Sequence, residues 1–367
     1  GLNIHSISMS AKARLKGAMR SHPGIWATYR RIKQQLQRMF ILRYFLHDIR
    51  HTYGAMHWGP EHSSYRTLSA ELLFQYHKLE KGLVMPGQRR LFGVDPATAV
   101  LGLLKRWRGA GHSGDDPIFV GALETLRSYS RHLANAGLDP DGLILPKVDV
   151  FLRQNAEANA ALSTPRLLSE IGWPDDPSDA YRFIASLAES RRSVRDFRPE
   201  MVPDSVLRQA IQVAQLSPSA CNRQPCRLYV TSDDVMKLAL LALQNGNRGF
   251  GHTIPQLGIV VADEACFFDA SERHEPYIDG GLFTMSLILA LRAQGVSSCC
   301  LNWCVSPDND RAAHAVANLA PSERILMLLA VGYAPDKCAV PRSPRRDVDD
   351  VLRILSKEYP KSGSSDF

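Results

Sequence analysis

The sequence predicts an all-helical N-terminal half followed, from about residue 180, by an α/β or α+β layered domain built on a buried sheet. Three observations carry this. At 367 residues the chain exceeds one ordinary domain of roughly 100–200 residues, so two units are expected. Before residue 180, apolar residues recur at three- and four-residue spacing and no sustained strand signal appears. After it, short β-rich runs alternate with helical stretches, as in a sheet covered by helices.

The elements follow in order. Residues 25–53 read as a helix, with Ile25, Tyr29, Ile32, Leu36, Met39 and Phe40 at helical spacing and Arg30, Arg31, Lys33 and Arg38 between them. A second helix over 65–79 runs into HKLEKGL (residues 77–83), where Gly82 is expected to cap it and Pro86 forbids continuation. Helices are also expected over 97–107 and 118–135, separated by Gly-, Asp- and Pro-rich segments at 109–117 and 139–146. Residues 163–179 carry three prolines and read as a linker. Asp179 is placed as the N-cap of a helix over 180–190, and Pro203 at the first turn of the next, which ends near Leu216. Strands are expected at 227–231, 257–262, 298–303 and 325–333, with helices at 233–244, 277–294 and 307–318. The chain thus divides into a basic amphipathic arm (1–60), a helical region (61–162), the linker and a sheet-containing domain (180–367).

Composition narrows the class. Hydrophobic residues make up 45% and charged residues 22%, so a packed core is available. The apolar run at 282–291 is broken by Thr284 and Ser286 and falls short of the roughly 18 residues that span a bilayer. No secretory signal is expected in the opening residues. Seven cysteines lack metal-site spacing, so no metal is expected, and free thiols in a reducing cytoplasm are the reading. The net charge of +7 belongs to residues 1–60, where ten Lys or Arg face one acid, Asp48; the remainder is slightly acidic. The arm's aromatic residues fall on its apolar face and not among the basic ones, so nucleic-acid binding is not expected. The same helix suits the surface of an anionic membrane, or equally packing on the helical half or on a partner subunit.

Three separated pieces carry chemistry. SRRSVRDF (residues 190–197) gathers three arginines and a serine, donors suited to phosphate. SPSACNRQP (residues 217–225) is a loop whose two prolines fix the backbone and expose Ser219, Asn222 and Gln224; amide side chains suit the donor and acceptor edge of a heterocycle. SPRR (residues 343–346) is a basic turn before an Asp-rich helix start at Asp347. Singly, each reads as a solvated basic face, an Asx-type turn loop or an exposed turn.

Together and in order, they resemble the FMN-dependent nitroreductase family. The landmarks here are RRSVR (residues 191–195), SPSACNRQP, DGGLFTMSLILALRAQG (279–295) with VSSCCLNW (296–303), LLAVGYAP (328–335), and Arg345 with Arg346. The resemblance spans roughly 180 residues. It implies an α+β layered domain with a central mixed sheet flanked by helices, working as a homodimer with the flavin in a cleft between subunits. It implies that Arg191 and Ser193 meet the FMN phosphate, joined by Arg345 or Arg346. Arg192 and Arg195 then lie along the ribityl chain and ring edge. Asn222 and Gln224, beside Pro218 and Ser219, hold the pyrimidine edge, and backbone at Cys300, Leu301 and Asn302 faces the ring. The sequence departs from the family at Cys226, where a tryptophan is common, and at CCLNW, where small residues are common. Those departures bear on substrate range. YHKLEKGL (residues 76–83) resembles a segment of nitroreductase-family proteins that occur alongside polysaccharide-biosynthesis genes; read on its own it is a helix end with dipole-complementing cations.

The expected function is a ping-pong oxidoreductase in which NADH or NADPH reduces bound FMN and a small-molecule acceptor reoxidises it, with no indispensable side-chain acid, base or nucleophile. The rivals are a flavin-binding scaffold with little turnover, and an enzyme using reduced FMN for dehalogenation or flavin cleavage. The expected location is the cytoplasm, at the inner membrane surface if the arm meets lipid.

Overall fold

The computed structural model describes residues 22–59, 62–87, 90–155, 165–168, 171–172 and 176–355. The first 21 residues of the basic arm and much of the linker lie outside these.

Helix α1 (Pro23–Ala55) is followed by α2 (Tyr65–Val84), α3 (Val94–Gly109), α4 (Pro117–Ala136) and α5 (Leu145–Arg153). Ser64 caps α2 by accepting from Thr67 N, and Asp116 caps α4 by accepting from Ile118 N, with Pro117 in the first turn. Helices α2–α5 bury one shared cluster that includes Leu72, Leu104, Trp107, Phe119, Leu123 and Tyr129. Two expectations need correction here. Gly82 does not end α2 but lies inside it, because the Phe92 ring packs where a Cβ would stand, 2.2 Å away. The segment 139–146 is not purely connecting: Asp139 accepts from the backbone N–H groups of Leu143, Ile144 and Leu145, and so launches α5.

The second half holds α6 (Pro177–Ser190), α7 (Asp204–Ala214), β1 (Cys226–Thr231), α8 (Asp234–Ala242), β2 (Gln256–Asp263), α9 (Glu275–Ala293), β3 (Ser297–Asn302), α10 (Pro307–Ala317), β4 (Glu323–Gly332) and the short α11 (Val348–Val351). Asp176, not Asp179, caps α6. The strand order is β1-β2-β4-β3, and the named strands pair antiparallel. The fold is α+β, as expected. Among the described residues, the parallel component of the sheet is a bridge between Ser193 and Ser298.

Both sheet faces are covered. α8 and α10 pack on one, with Leu240 and Ala313 against Leu257, Ile259 and Leu328. α7 and α9 pack on the other, with Leu207, Leu287 and Leu291 against Val260, Leu329 and Val331. Two glycines allow close approach. A Cβ on Gly280 of α9 would stand 1.9 Å from Leu326 Cδ1 of β4, and one on Gly332 would meet Pro255 and Phe197. Helix α9 is apolar on nearly every side but is not buried all round within the chain: Tyr277, Ile278, Leu282 and Met285 form an exposed stripe on one side, with Gly281 between them. Helix α6 buries no residue at all and exposes Tyr181, Phe183 and Ile184.

Helix α1 meets the sheet-containing half through polar groups. Arg43, His47 and His51, spaced four apart on one face, pair with Asp308, Asp310 and Glu264. Asp48 pairs with Arg324. Leu42, Phe45, Leu46 and Ile49 stay exposed. No helix among the described residues is long and apolar enough to cross a membrane.

Candidate functional site

The chain leaves α6 with Arg191, whose N–H donates to Leu187 O, and then runs extended beside the edge strand β3. Val194 N donates to Ser298 O at 3.1 Å. Val194 and Phe197 point into the core under the sheet. That burial turns the polar members of the motif outward: Arg191, Arg192, Ser193 and Arg195 line a small cavity of about 160 Å³ with Pro341, Ser343 and Arg345 of the C-terminal turn. Ser343 holds the turn in the left-handed region (φ 49°), and its carbonyl accepts from Arg345 Nη1 at 2.6 Å. Four arginines thus line one space. Among the described residues none of the four pairs with a carboxylate, and the buried Arg191 Nε has no hydrogen-bond partner. Such a set suits an anion with several acceptor oxygens. Arg346 does not line this cavity.

The neighbouring thiol Cys299 is pushed up by burial, against the pull of Arg195 and Arg191. It is therefore neutral near pH 7 and not a ready nucleophile. Among the described residues no group of His, Cys, Asp or Glu is arranged to hold a metal.

The loop of residues 217–225 is held from α9. Ser217 Oγ lies 2.7 Å from Ser286 Oγ, and Ala220 N donates to both carboxylate oxygens of Asp279. Gln224 N donates to Ser219 Oγ at 3.0 Å. Three residues with side chains, Cys221, Asn222 and Gln224, take positive φ (50°, 55° and 52°). Such conformations cost roughly 1–3 kcal/mol each and persist only where surroundings enforce them. The enforcing group is Arg223. It is buried, pairs with Glu272, and lies over the rings of Phe267 and Phe74 at 4.6 and 5.4 Å. With Arg223 and Pro225 turned in, Asn222 and Gln224 are turned out.

The predicted site residues are therefore not gathered in one place within the chain. Arg191, Arg192, Ser193, Arg195 and Arg345 come together. Pro218, Ser219 and Gln224 line a second cavity of about 520 Å³ against Tyr65 and Arg66 of α2. Cys300 and Asn302 line a third, of about 550 Å³, while the Leu301 side chain points into the core.

Three features escaped the sequence reading. Asp279 is 3% exposed, and burial pushes its carboxyl up to about 6, with the Ala220 N–H pulling the other way. Arg223 was read only as part of a loop motif. Asp310 accepts from Trp303 Nε1 at 2.7 Å and pairs with His47. The only local signal for Asp279 was its place ahead of Gly280 and Gly281 at the start of an apolar helix; the other two depend on contacts distant in sequence.

The chain thus holds an α+β unit with a cluster of arginines at a sheet edge. Residues 188–250, which span the arginine motif and the loop, match the model of the Nitroreductase family. A putative NADH dehydrogenase/NAD(P)H nitroreductase of Caulobacter vibrioides is 25% identical over 200 residues, covering 47% of this chain and 96% of its own. Nitroreductase NfnB of Mycolicibacterium smegmatis is 28% identical over 232 residues, covering 49% and 97%. A putative nitroreductase from Desulfovibrio desulfuricans, solved in complex with FMN, is 20% identical with a TM-score of 0.40 and covers 50% of this chain and 98% of its own.

Proposed function

We propose that the chain is an FMN-dependent oxidoreductase that takes electrons from NADH or NADPH and passes them to a small-molecule acceptor by a ping-pong scheme. The observation that carries this is the four-arginine cavity with the unpartnered Arg191 Nε, three of whose arginines (Arg191, Arg192 and Arg195) lie in the segment that matches the Nitroreductase family. The donor set fits a terminal phosphate. Arg191, Ser193 and Arg345 would hold it; Arg192 and Arg195 would supply positive charge toward the ring edge. FMN, when bound, supplies the hydride chemistry. What the chain supplies is binding, orientation and charge. The names of the relatives support the nicotinamide donor.

The active form in this reading is a homodimer. The exposed apolar stripe on α9 and the wholly unburied α6 support it. So does the separation of the loop of residues 217–225 from the arginine cavity, since a second copy would bring its own loop, with Asn222 and Gln224 outward, to that cavity. A peripheral contact of α1 with an anionic membrane surface belongs to the same reading, supported by Leu42, Phe45, Leu46 and Ile49 exposed among Arg38, Arg43 and Arg50. The link to polysaccharide assembly rests on the segment at 76–83 alone.

The test is the visible spectrum of the purified full chain under anaerobic conditions. Flavin absorbance near one FMN per chain, bleached by NADH or NADPH and restored by an acceptor, is the expected result. Flavin that neither donor bleaches would leave a binding scaffold in place of the enzyme.

A further inference from the structure

We propose that helix α1 forms one wall of the acceptor site, with Tyr44 determining which acceptor is taken and His47 acting as a positioning residue. The proposal rests on the reading above together with the placement that the family resemblance implies, in which backbone at Cys300, Leu301 and Asn302 of β3 faces the flavin ring.

The cavity of about 550 Å³ at that end has walls from two distant parts of the chain. Cys300, Asn302 and Trp303 come from β3 and the residue after it; Tyr44, His47 and Asp48 come from α1, and Tyr277 from α9. Its volume falls within the range of small-molecule sites, roughly 300–1,000 Å³. It lies in series with the anion cavity. Ser193 bridges Ser298, and the outward-facing Cys300 and Asn302 stand two and four residues further along the same strand. At about 3.3 Å per residue, that is roughly 7–13 Å.

The α1 wall is pinned to the residues it faces. Asp310 accepts from Trp303 Nε1 at 2.7 Å and pairs with His47 Nε2 at 3.0 Å, so one carboxylate sets both the ring after β3 and the helix opposite. Burial acts to raise the Asp310 carboxyl, but the bonds from Trp303 and His47 outweigh it and hold it below the usual range. Arg324 of β4 pairs with Asp48 at 3.0 Å and lies 5.7 Å from the centre of the Tyr277 ring. Three aromatic rings, Tyr44, Trp303 and Tyr277, therefore line one space from three elements. Of these, Tyr44 takes no part in the anchoring ion pairs. Its ring, 5.8 Å from the Arg43 guanidinium, lines the cavity and can meet the ligand, whereas His47 acts on the geometry through Asp310.

The experiment uses the flavin-loaded full chain with nitrofurantoin as the probe acceptor. Binding to the oxidised protein is measured from the flavin difference spectrum with no nicotinamide present; kcat and KM are measured with NADH or NADPH. Tyr44→Ala should raise both Kd and KM roughly three- to tenfold, the loss of one aromatic contact. It should leave flavin content and the rate of flavin reduction by the donor unchanged. Tyr44→Phe should restore parental constants, and Val235→Ala, exposed on α8 and away from this cavity, should behave as the parent. His47→Ala should shift the Trp303 emission as well as KM. A chain that holds flavin and is bleached by donor, yet shows parental Kd and KM in Tyr44→Ala, overturns the wall while leaving the proposed function standing. A chain that holds no flavin overturns the proposed function itself.

Discussion

Replacing Asp279 by asparagine tests how the loop of residues 217–225 is held. The carboxyl is 3% exposed, accepts from Ala220 N, and is pushed from 3.8 to about 6 by burial, with Glu275 adding to the rise and Arg223 opposing it. The folded protein therefore binds the proton more tightly than the unfolded chain. Below about pH 4 the group is protonated in both states and costs nothing. As pH rises from 4 to 6 the unfolded chain releases the proton first, so stability falls, and above 6 the full penalty of a buried charge is present. Two units correspond to about 3 kcal/mol as an upper figure. Asparagine keeps one oxygen for the Ala220 N–H and carries no charge. Urea unfolding followed by tryptophan fluorescence should show Asp279→Asn more stable than the parent by about 1–3 kcal/mol at pH 7.5, with the gap closing toward pH 4. Other titrating groups are common to both proteins and cancel in the difference. A variant less stable than the parent at pH 7.5, or a gap that does not change with pH, would refute the reasoning.

Three further outcomes follow from the same structure. Arg191→Ala removes one charge-assisted contact worth about 1.5–3 kcal/mol, so FMN affinity measured by fluorescence quenching should drop tenfold or more; unchanged affinity would take Arg191 out of the phosphate site. Leu282→Asp places a charge in the exposed stripe of α9, and sedimentation velocity at micromolar concentration should show a monomer where the parent is a dimer; a flavin-loaded parent monomer would remove the dimer. Phe45→Glu with Ile49→Glu should abolish co-sedimentation with vesicles of anionic phospholipid at low salt, while a parent chain that stays in the supernatant would end the membrane reading.

What the sequence made legible depended on how far apart the interacting residues lie. Helix and strand positions came from local periodicity, and the four strands and the larger helices fall within a few residues of expectation. The meeting of residues 191–195 with the turn at 343–346 was expected only from the family resemblance, since by charge type alone each piece read as exposed basic surface; the fold brings Arg345 there and not Arg346. Gly82 misled because glycine at a helix end and glycine under a packed ring look alike; only the fold brings Phe92 over it. Helix α1 misled in a different way. Its apolar stripe suggested the docking face, but ion pairs from Arg43, His47, Asp48 and His51 hold it, and partners such as Glu264 and Arg324 lie more than 200 residues away. The site divides likewise: the donors were legible as motifs, while their distribution over three cavities depends on chain topology.

The aromatic roof over Arg223 bears on how this protein can be taken apart. Trp58 and Phe74 come from the N-terminal half, yet both rings lie against Phe268, and the Trp58 indole donates to Ala265 O at 3.1 Å. A fragment cut at the start of α6 would keep the motifs a relative shares but lose that cover. The buried Arg223 would face water on one side, Phe267 and Phe268 would be uncovered, and the strained turn at Cys221 and Asn222 would lose part of what enforces it. Swapping this half for a relative's whole chain would carry the same defect across the junction. Recombination between homologues is therefore compatible with this architecture only where the segment around Trp58 and Phe74 travels together with the loop it shelters.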